Sequence, residues 1–466
     1  MIDKSSAYMY KFHKSFWSEK IEKKRISNGL FLSVFTTIML AVSLMATPRA
    51  AAKVYLDIYS PNIRKINLAV LPPRWQGNVI PNKITPPLFE NRVTRDLWIT
   101  GFFNIISGKE IPAAMAAAYR YHNHIDLKKY KTLGAEFVLA TAAGVNQGIL
   151  TIEYHLFDVA LSKEIAGARL KGPAKYQDRV YHAFENKIIY YITGSDGLFD
   201  TKIAYVSTKT GNKEIYTIDF DARHVRRVTH NGSINLSPRW SPDGNRIAFT
   251  CYLRRNPDLY IIDFKMGKIF LFSHQRGLNT APAWSPDGRY LAVTMRTSSG
   301  AEIFLLDRKG RKVKQLTKGW GDNLSAAWSP DGKKIAFVSN RTGRPQIYTM
   351  NADGTNVKRL TFRGTYNVSP AWSPRGDRIA YSGIIDGKFQ ICTITLDGST
   401  IHVLTSLGNN QSPNWSPDGR YIAYSQATRR GVDIFVMNFD GNFKRRLTHG
   451  GGKNTMPSWS PHLEKP

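Results

Sequence analysis

The tripeptide Trp-Ser-Pro occurs six times in this chain, with its tryptophans at Trp240, Trp284, Trp328, Trp372, Trp415 and Trp459. The spacings are 44, 44, 44, 43 and 44 residues, a period that suits one four-stranded propeller blade. Four copies continue as Trp-Ser-Pro-Asp-Gly; the fourth reads Trp-Ser-Pro-Arg375-Gly376 and the last Trp-Ser-Pro-His462. The repeat of Trp328 carries a strand at Ser325 to Trp328, a Ser-Pro-Asp-Gly turn and a second strand at Lys333 to Ser339. Proline fixes φ in that turn and glycine accepts φ > 0. A third strand at Gln346 to Asn351 closes with Asp353-Gly354, a hairpin signal, and a fourth follows at Lys358 to Thr361.

The phase of the repeats predicts a closed ring. The repeat region opens at Lys202 to Ser207 on a second strand with no Trp-Ser-Pro before it, and it stops just after the sixth Trp-Ser-Pro. One blade therefore takes its first strand from the C-terminal end, which leaves no open sheet edge. The expected fold class is an α/β N-terminal domain, residues 53–200, followed by an all-β six-bladed propeller, residues 201–466.

A second regularity stands five residues before each tryptophan: Asn235, Asn279, Asn323, Asn367, Asn410 and Asn454. The first strand of a blade is innermost, so these residues fall at the mouth of the central channel. Two roles are open. Each amide bonds nearby backbone and shapes its loop, and the six form a polar collar that donates to a partner's backbone; the two roles can coexist.

Residues Lys53 to about Gly194 show no repeat. The run Ile66 to Leu71 reads as a buried strand, Pro86 to Ile105 as a helix capped by Thr85, and Leu150 to Leu156 as one arm of a hairpin around Gln147-Gly148. Gln177 to Ile192 reads as a closing helix. There is no Gly-rich phosphate loop and no metal-spaced His or Cys cluster, so neither cofactor nor metal is expected, and the catalytic set is empty.

The net charge of +30 invites a nucleic-acid reading. The N-terminus argues against it. Lys23-Lys24-Arg25 precede the apolar run Gly29 to Ala46, followed by Ala50-Ala51-Ala52, a secretory signal pattern expected to be cleaved after Ala52. An uncleaved anchor is the alternative, because the run is close to the ~17-residue lower limit of a membrane span. Either way residue 53 onward leaves the cytoplasm, and the charge faces acidic proteins or an anionic envelope surface, or is simply a basic solvated surface. The basic runs Arg226-Arg227 and Lys444-Arg445-Arg446 precede a Val-Thr or Leu-Thr pair on outer strands, where repetition explains them. The two cysteines, Cys251 and Cys392, lie in different repeats and read as buried hydrophobes, not as a pair.

These residues resemble the TolB family, periplasmic components of the Tol-Pal system. The likeness is carried by the Pro-x-Trp-Ser-Pro-Asp-Gly blades, the blade-opening segment Thr201-Lys202-Ile203-Ala204-Tyr205-Val206, the strand end Leu156-Phe157-Asp158-Val159 and the terminal Pro457-Ser458-Trp459-Ser460-Pro461. The resemblance implies a non-enzymatic adaptor in envelope integrity and cell division. It implies a Pal-like lipoprotein at the channel mouth, on the asparagine loops. A TolA-like inner-membrane protein is implied at the first mature residues, where Val54, Tyr55, Leu56, Asp57, Ile58 and Tyr59 stand. Near the mouth, Leu278 and Ser325 replace a His and a Glu expected to contact Pal. The rival class is a propeller hydrolase or lyase acting on envelope peptides or glycans. A hydrolase elbow needs Gly-x-Ser-x-Gly, which is absent; Gly194-Ser195-Asp196-Gly197 lacks the spacing.

Overall fold

A computed structural model describes residues 64–463 except 81, 82, 109, 123, 320 and 430. The signal pattern and the segment Val54 to Tyr59 lie outside the described residues.

The N-terminal part is a three-layer α/β sandwich. Its strands are β1 (Ile66–Val70), β2 (Arg74–Trp75), β3 (Phe103–Ile106), β4 (Phe137–Asn146), β5 (Ile149–Asp158) and β6 (Lys163–Pro173). They run in the order β3-β1-β4-β5-β6, with β2 beside β4. The pairs β3/β1 and β1/β4 are parallel; β4/β5 and β5/β6 are antiparallel. The apolar run in β1 is buried on both faces, as its lack of alternation requires. Leu68 and Val70 pack with α1 (Pro86–Trp98) and the long closing helix Gln177–Thr193, whereas Ala69 and Leu71 pack with α2 (Ala113–His122) and α3 (Leu127–Thr132).

One sequence expectation shifts here and one holds. The helix begins at Pro86 but stops at Trp98 instead of Ile105, because Gly101 takes φ +75° and the next residues pair along β1 as β3. The Gln147-Gly148 hairpin stands as read, with both residues at positive φ between β4 and β5.

The propeller consists of six four-stranded antiparallel sheets. In the Trp328 blade the strands are Asn323–Trp328, Lys334–Ser339, Gln346–Asn351 and Lys358–Arg359, so the innermost strand starts at the asparagine, two residues earlier than its pattern suggests. The six innermost strands touch one another in sequence around the ring, and the last touches the first. Asn454–Trp459 pairs antiparallel with Lys202–Thr210, so the blade assembled from both ends closes the circle.

The tryptophans pack between blades and tie them together. Trp284, Trp328 and Trp415 donate their indole N–H to the carbonyl of Arg239, Ala283 and Ala371 in the preceding blade, at 3.0–3.2 Å. The turns between third and fourth strands seal the outer rim. A Cβ on Gly310, Gly354 or Gly441 would stand 2.0–2.9 Å from a backbone carbonyl oxygen of the neighbouring blade, and all three glycines have φ near +80°. Only glycine meets both demands. Cys251 and Cys392 are buried and unpaired.

Candidate functional site

All six innermost strands run the same way, so the ring has an asparagine end and a tryptophan end, about 15 Å apart for five residues of strand. At the asparagine end the amides are 0–3 % exposed. In five blades the Asn Nδ2 donates to a side chain on the third strand of the preceding blade: Glu214, Glu302, Gln346, Gln390 or Asp433, at 2.8–3.1 Å. The same acceptors take a hydrogen bond from Thr229, Thr317, Thr361, Thr405 and Thr448. Each of these threonine oxygens in turn accepts from the backbone N–H after the acceptor residue, at 2.8–3.0 Å. Asn279 departs from the rule and donates to the carbonyls of Gln275 and Gly277, while Asp258 pairs with His274.

The amides are thus committed within the fold, which is the loop-shaping role. Their N–H donors are spent on the blades themselves, which leaves the loops they hold, and not the buried amides, at the surface of the mouth. Sequence reasoning passed over the acceptor 20 or 21 residues before five of the asparagines and the Thr five or six before them, although both repeat with the blade. The mouth is strained as well. The residue two after each asparagine takes a left-handed conformation without being glycine: Ser237, Ala281, Ser325, Ser369, Ser412 and Met456 have φ of 50–57°. Each marks a bulge in the innermost strand and costs about 1 kcal/mol.

The loops at this end join blade to blade and second strand to third. Among the described residues their only acids are Asp322 and Asp386. Exposed cations include Arg254, Arg255, Arg276, Arg344 and Arg363, interleaved with Leu407 at 79 % and Phe362 at 71 % exposure.

The tryptophan end carries the α/β layer. Tyr421 donates to the Thr100 carbonyl at 2.5 Å, Arg95 donates to the Asp221 carbonyl at 2.7 Å, and Trp98 meets Phe443 edge-on. Arg223 bridges Asp96 of α1 at 2.7 Å and Asp221 at 2.9 Å, and His182 reaches Asp221 at 3.0 Å. Burial raises the Asp221 carboxyl, but the His182 hydrogen bond and the nearby charges of His182 and Arg223 outweigh it and hold the group well below the carboxylate range. Glu185 goes the other way: full burial, reinforced by the charge of Asp96, pushes its pKa well above 4.5. A core of Phe184, Ile188, Phe199, Phe220, Tyr421 and Trp459 runs unbroken from layer to blade, and the described residues form one compact body. Among them, no three His, Cys, Asp or Glu side chains are gathered to hold a metal, and no helix is long and apolar enough to cross a membrane.

A closed six-bladed propeller, with one face occupied by an α/β layer and the other bare, defines the class of molecule. Residues 190–463 match the TolB beta propeller domain and residues 54–165 the TolB amino-terminal domain. The chain belongs to the TolB family. It is 38 % identical to the Tol-Pal system protein TolB of Desulfosudis oleivorans over 200 residues, 42 % of this chain and 45 % of that one. Identity to the Geobacter sulfurreducens protein of the same name is also 38 %, over 217 residues, 46 % of this chain and 49 % of that one. The matched stretch spans about half the length of these relatives. The crystal structure of TolB from Acinetobacter baumannii superposes with a TM-score of 0.75 at 27 % identity, covering 85 % of this chain and 97 % of that one.

Proposed function

We propose that this chain is a periplasmic, non-enzymatic adaptor of a Tol-Pal envelope system, serving outer-membrane integrity and constriction at division. The asparagine end binds a Pal-like lipoprotein, and Val54 to Tyr59 recruit a TolA-like inner-membrane protein by adding a strand to its sheet. The observation that carries this reading is the bare asparagine face, which combines exposed Leu407 and Phe362 with unopposed arginines on loops held rigid by buried amides. Apolar anchors rimmed by charge of one sign suit a folded acidic partner. Asn235, Asn279, Asn323, Asn367, Asn410 and Asn454 act in this scheme as positioning residues.

Calorimetric titration of the exported chain with a purified Pal-like domain tests the proposal. Reversal of Arg254, Arg255 and Arg363 to Glu is expected to weaken binding at least about tenfold and to flatten its salt dependence. Undiminished binding by that variant would move the interface elsewhere. Deleting residues 53–62 is expected to abolish TolA-like binding and spare Pal-like binding; equal loss of both would sink the division of labour.

A further inference from the structure

The tryptophan end of the channel holds a second feature that the adaptor reading does not use. A cavity of about 320 Å³ opens there, lined by all six Trp-Ser-Pro tryptophans and by the residue that precedes each one. Five of those preceding positions are small or neutral: Ala283, Ala327, Ala371, Asn414 and Ser458. The sixth is Arg239. No acidic side chain lines the cavity, and no residue of the α/β layer does.

Arg239 is chemically isolated. Its guanidinium donates to the carbonyl of its own neighbour Pro238 at 2.9 Å, and among the described residues no carboxylate lies within ion-pair distance. Burial alone lowers its pKa, to about 10, so it stays protonated at neutral pH. A cation partly withdrawn from water without a counter-charge is unfavourable. The repeat itself tolerates alanine at this place, so packing does not demand the charge. The other polar groups nearby do not neutralise it: the Asn414 oxygen already accepts from the Trp459 N–H at 2.6 Å, which leaves the amide NH2 as a donor, and Ser458 is neutral.

We propose that this cavity is a carboxylate-binding site, with the Arg239 guanidinium taking the carboxylate in bidentate fashion and the tryptophan rims packing against the body of the ligand. Guanidinium geometry matches two carboxylate oxygens, and the volume equals about ten waters, enough for a ligand the size of a dipeptide. The site stands at the far end of the ring from the proposed lipoprotein face, so its fate does not depend on that reading.

Six of the chain's ten tryptophans surround the cavity, which makes their fluorescence the probe. Titration of the exported chain with N-acetyl-dialanine is expected to give a saturable change, and the C-terminal amide of the same compound to bind at least about tenfold more weakly. Arg239→Met, which keeps the length of the apolar stem, is expected to lose the same factor; Arg239→Lys, which keeps the charge but not the fork, should fall between. Circular dichroism melts of both variants establish that they are folded. A short polyglutamate peptide amidated at its C-terminus, so that only side-chain carboxylates remain, tells a free ligand from a chain-borne carboxylate: binding of dialanine alone assigns the former, binding of both the latter. Equal affinity for acid and amide, undiminished binding by folded Arg239→Met, or no saturable change with any carboxylate would overturn the proposal.

Discussion

At the asparagine end of the ring, five of the six blades repeat the same buried polar chain, and no other part of the described protein covers the face. At the tryptophan end, the same six strands finish in near-identical turns, yet two blades are built over by a sandwich fixed through Tyr421, Arg223 and Phe443. Symmetry survives where nothing inside the chain needs a particular blade, and it breaks where one blade must receive something specific. Departures from the repeat therefore mark assignments. Phe443 and Arg239 are such departures, and neither is visible in the average blade.

Arg223→Ala separates the two ends most sharply. It leaves Asp96 and Asp221 buried without their shared cation, and the expected loss is about 3 kcal/mol in denaturant unfolding. The asparagine face should keep its affinity for a Pal-like domain; parallel loss would mean that the faces are not independent. Asn235→Ala acts at the other end. It strips a donor from buried Glu214 and from the Lys213 carbonyl, an expected cost of about 2 kcal/mol, together with weakened Pal-like binding from a loosened loop.

Smaller effects come from protonation and strain. The folded state keeps a proton on Glu185 that the unfolded chain releases near pH 4.5, so stability falls as pH rises above that value towards the raised folded pKa. Glu185→Gln removes the dependence, and thermal melts are expected to place it about 1 kcal/mol above wild type at pH 8 but level with it near pH 4. Asp178 and Asp221, both held low against burial by their cationic neighbours, contribute stability that is present above the ordinary carboxyl range and lost as pH falls through their depressed values. Acid should therefore loosen the tryptophan end first, read by hydrogen exchange in the helix Gln177–Thr193. Ser325→Gly relieves one left-handed residue and is expected to stabilise by less than about 1 kcal/mol; a loss instead would show that the Ser325 side chain has work at the mouth.

The propeller was legible because its period exceeds any local ambiguity: Trp-Ser-Pro at 44-residue steps fixed blade number, strand order and closure before any contact was known. The α/β layer was legible only where a strand or helix stands alone, as in Ile66 to Leu71 or Gln177 to Ile192. β3 and β6 escaped because short or polar strands gain their identity from neighbours, and α2 because its alanine-rich run has little apolar contrast. The asparagines illustrate the harder limit. Their repetition is plain, but whether an amide faces a partner or a buried glutamate depends on the side chain some 21 residues upstream, and only the packing of one blade on the next decides it. The Arg223, Asp96 and His182 cluster has no period at all, so nothing in the sequence draws it together.

The closing strand has a consequence in time. Trp459 donates its indole N–H to Thr201, a partner 258 residues earlier in the chain, and the blade that seats the α/β layer lacks its innermost strand until Asn454–Trp459 arrives. Contacts of such sequence separation form late and slowly. A chain delivered from its N-terminus must therefore wait, with that blade exposing a strand edge, until Asn454–Trp459 emerges. The sixth Trp-Ser-Pro strand is the one that locks the first blade, so the ring registers its own completion.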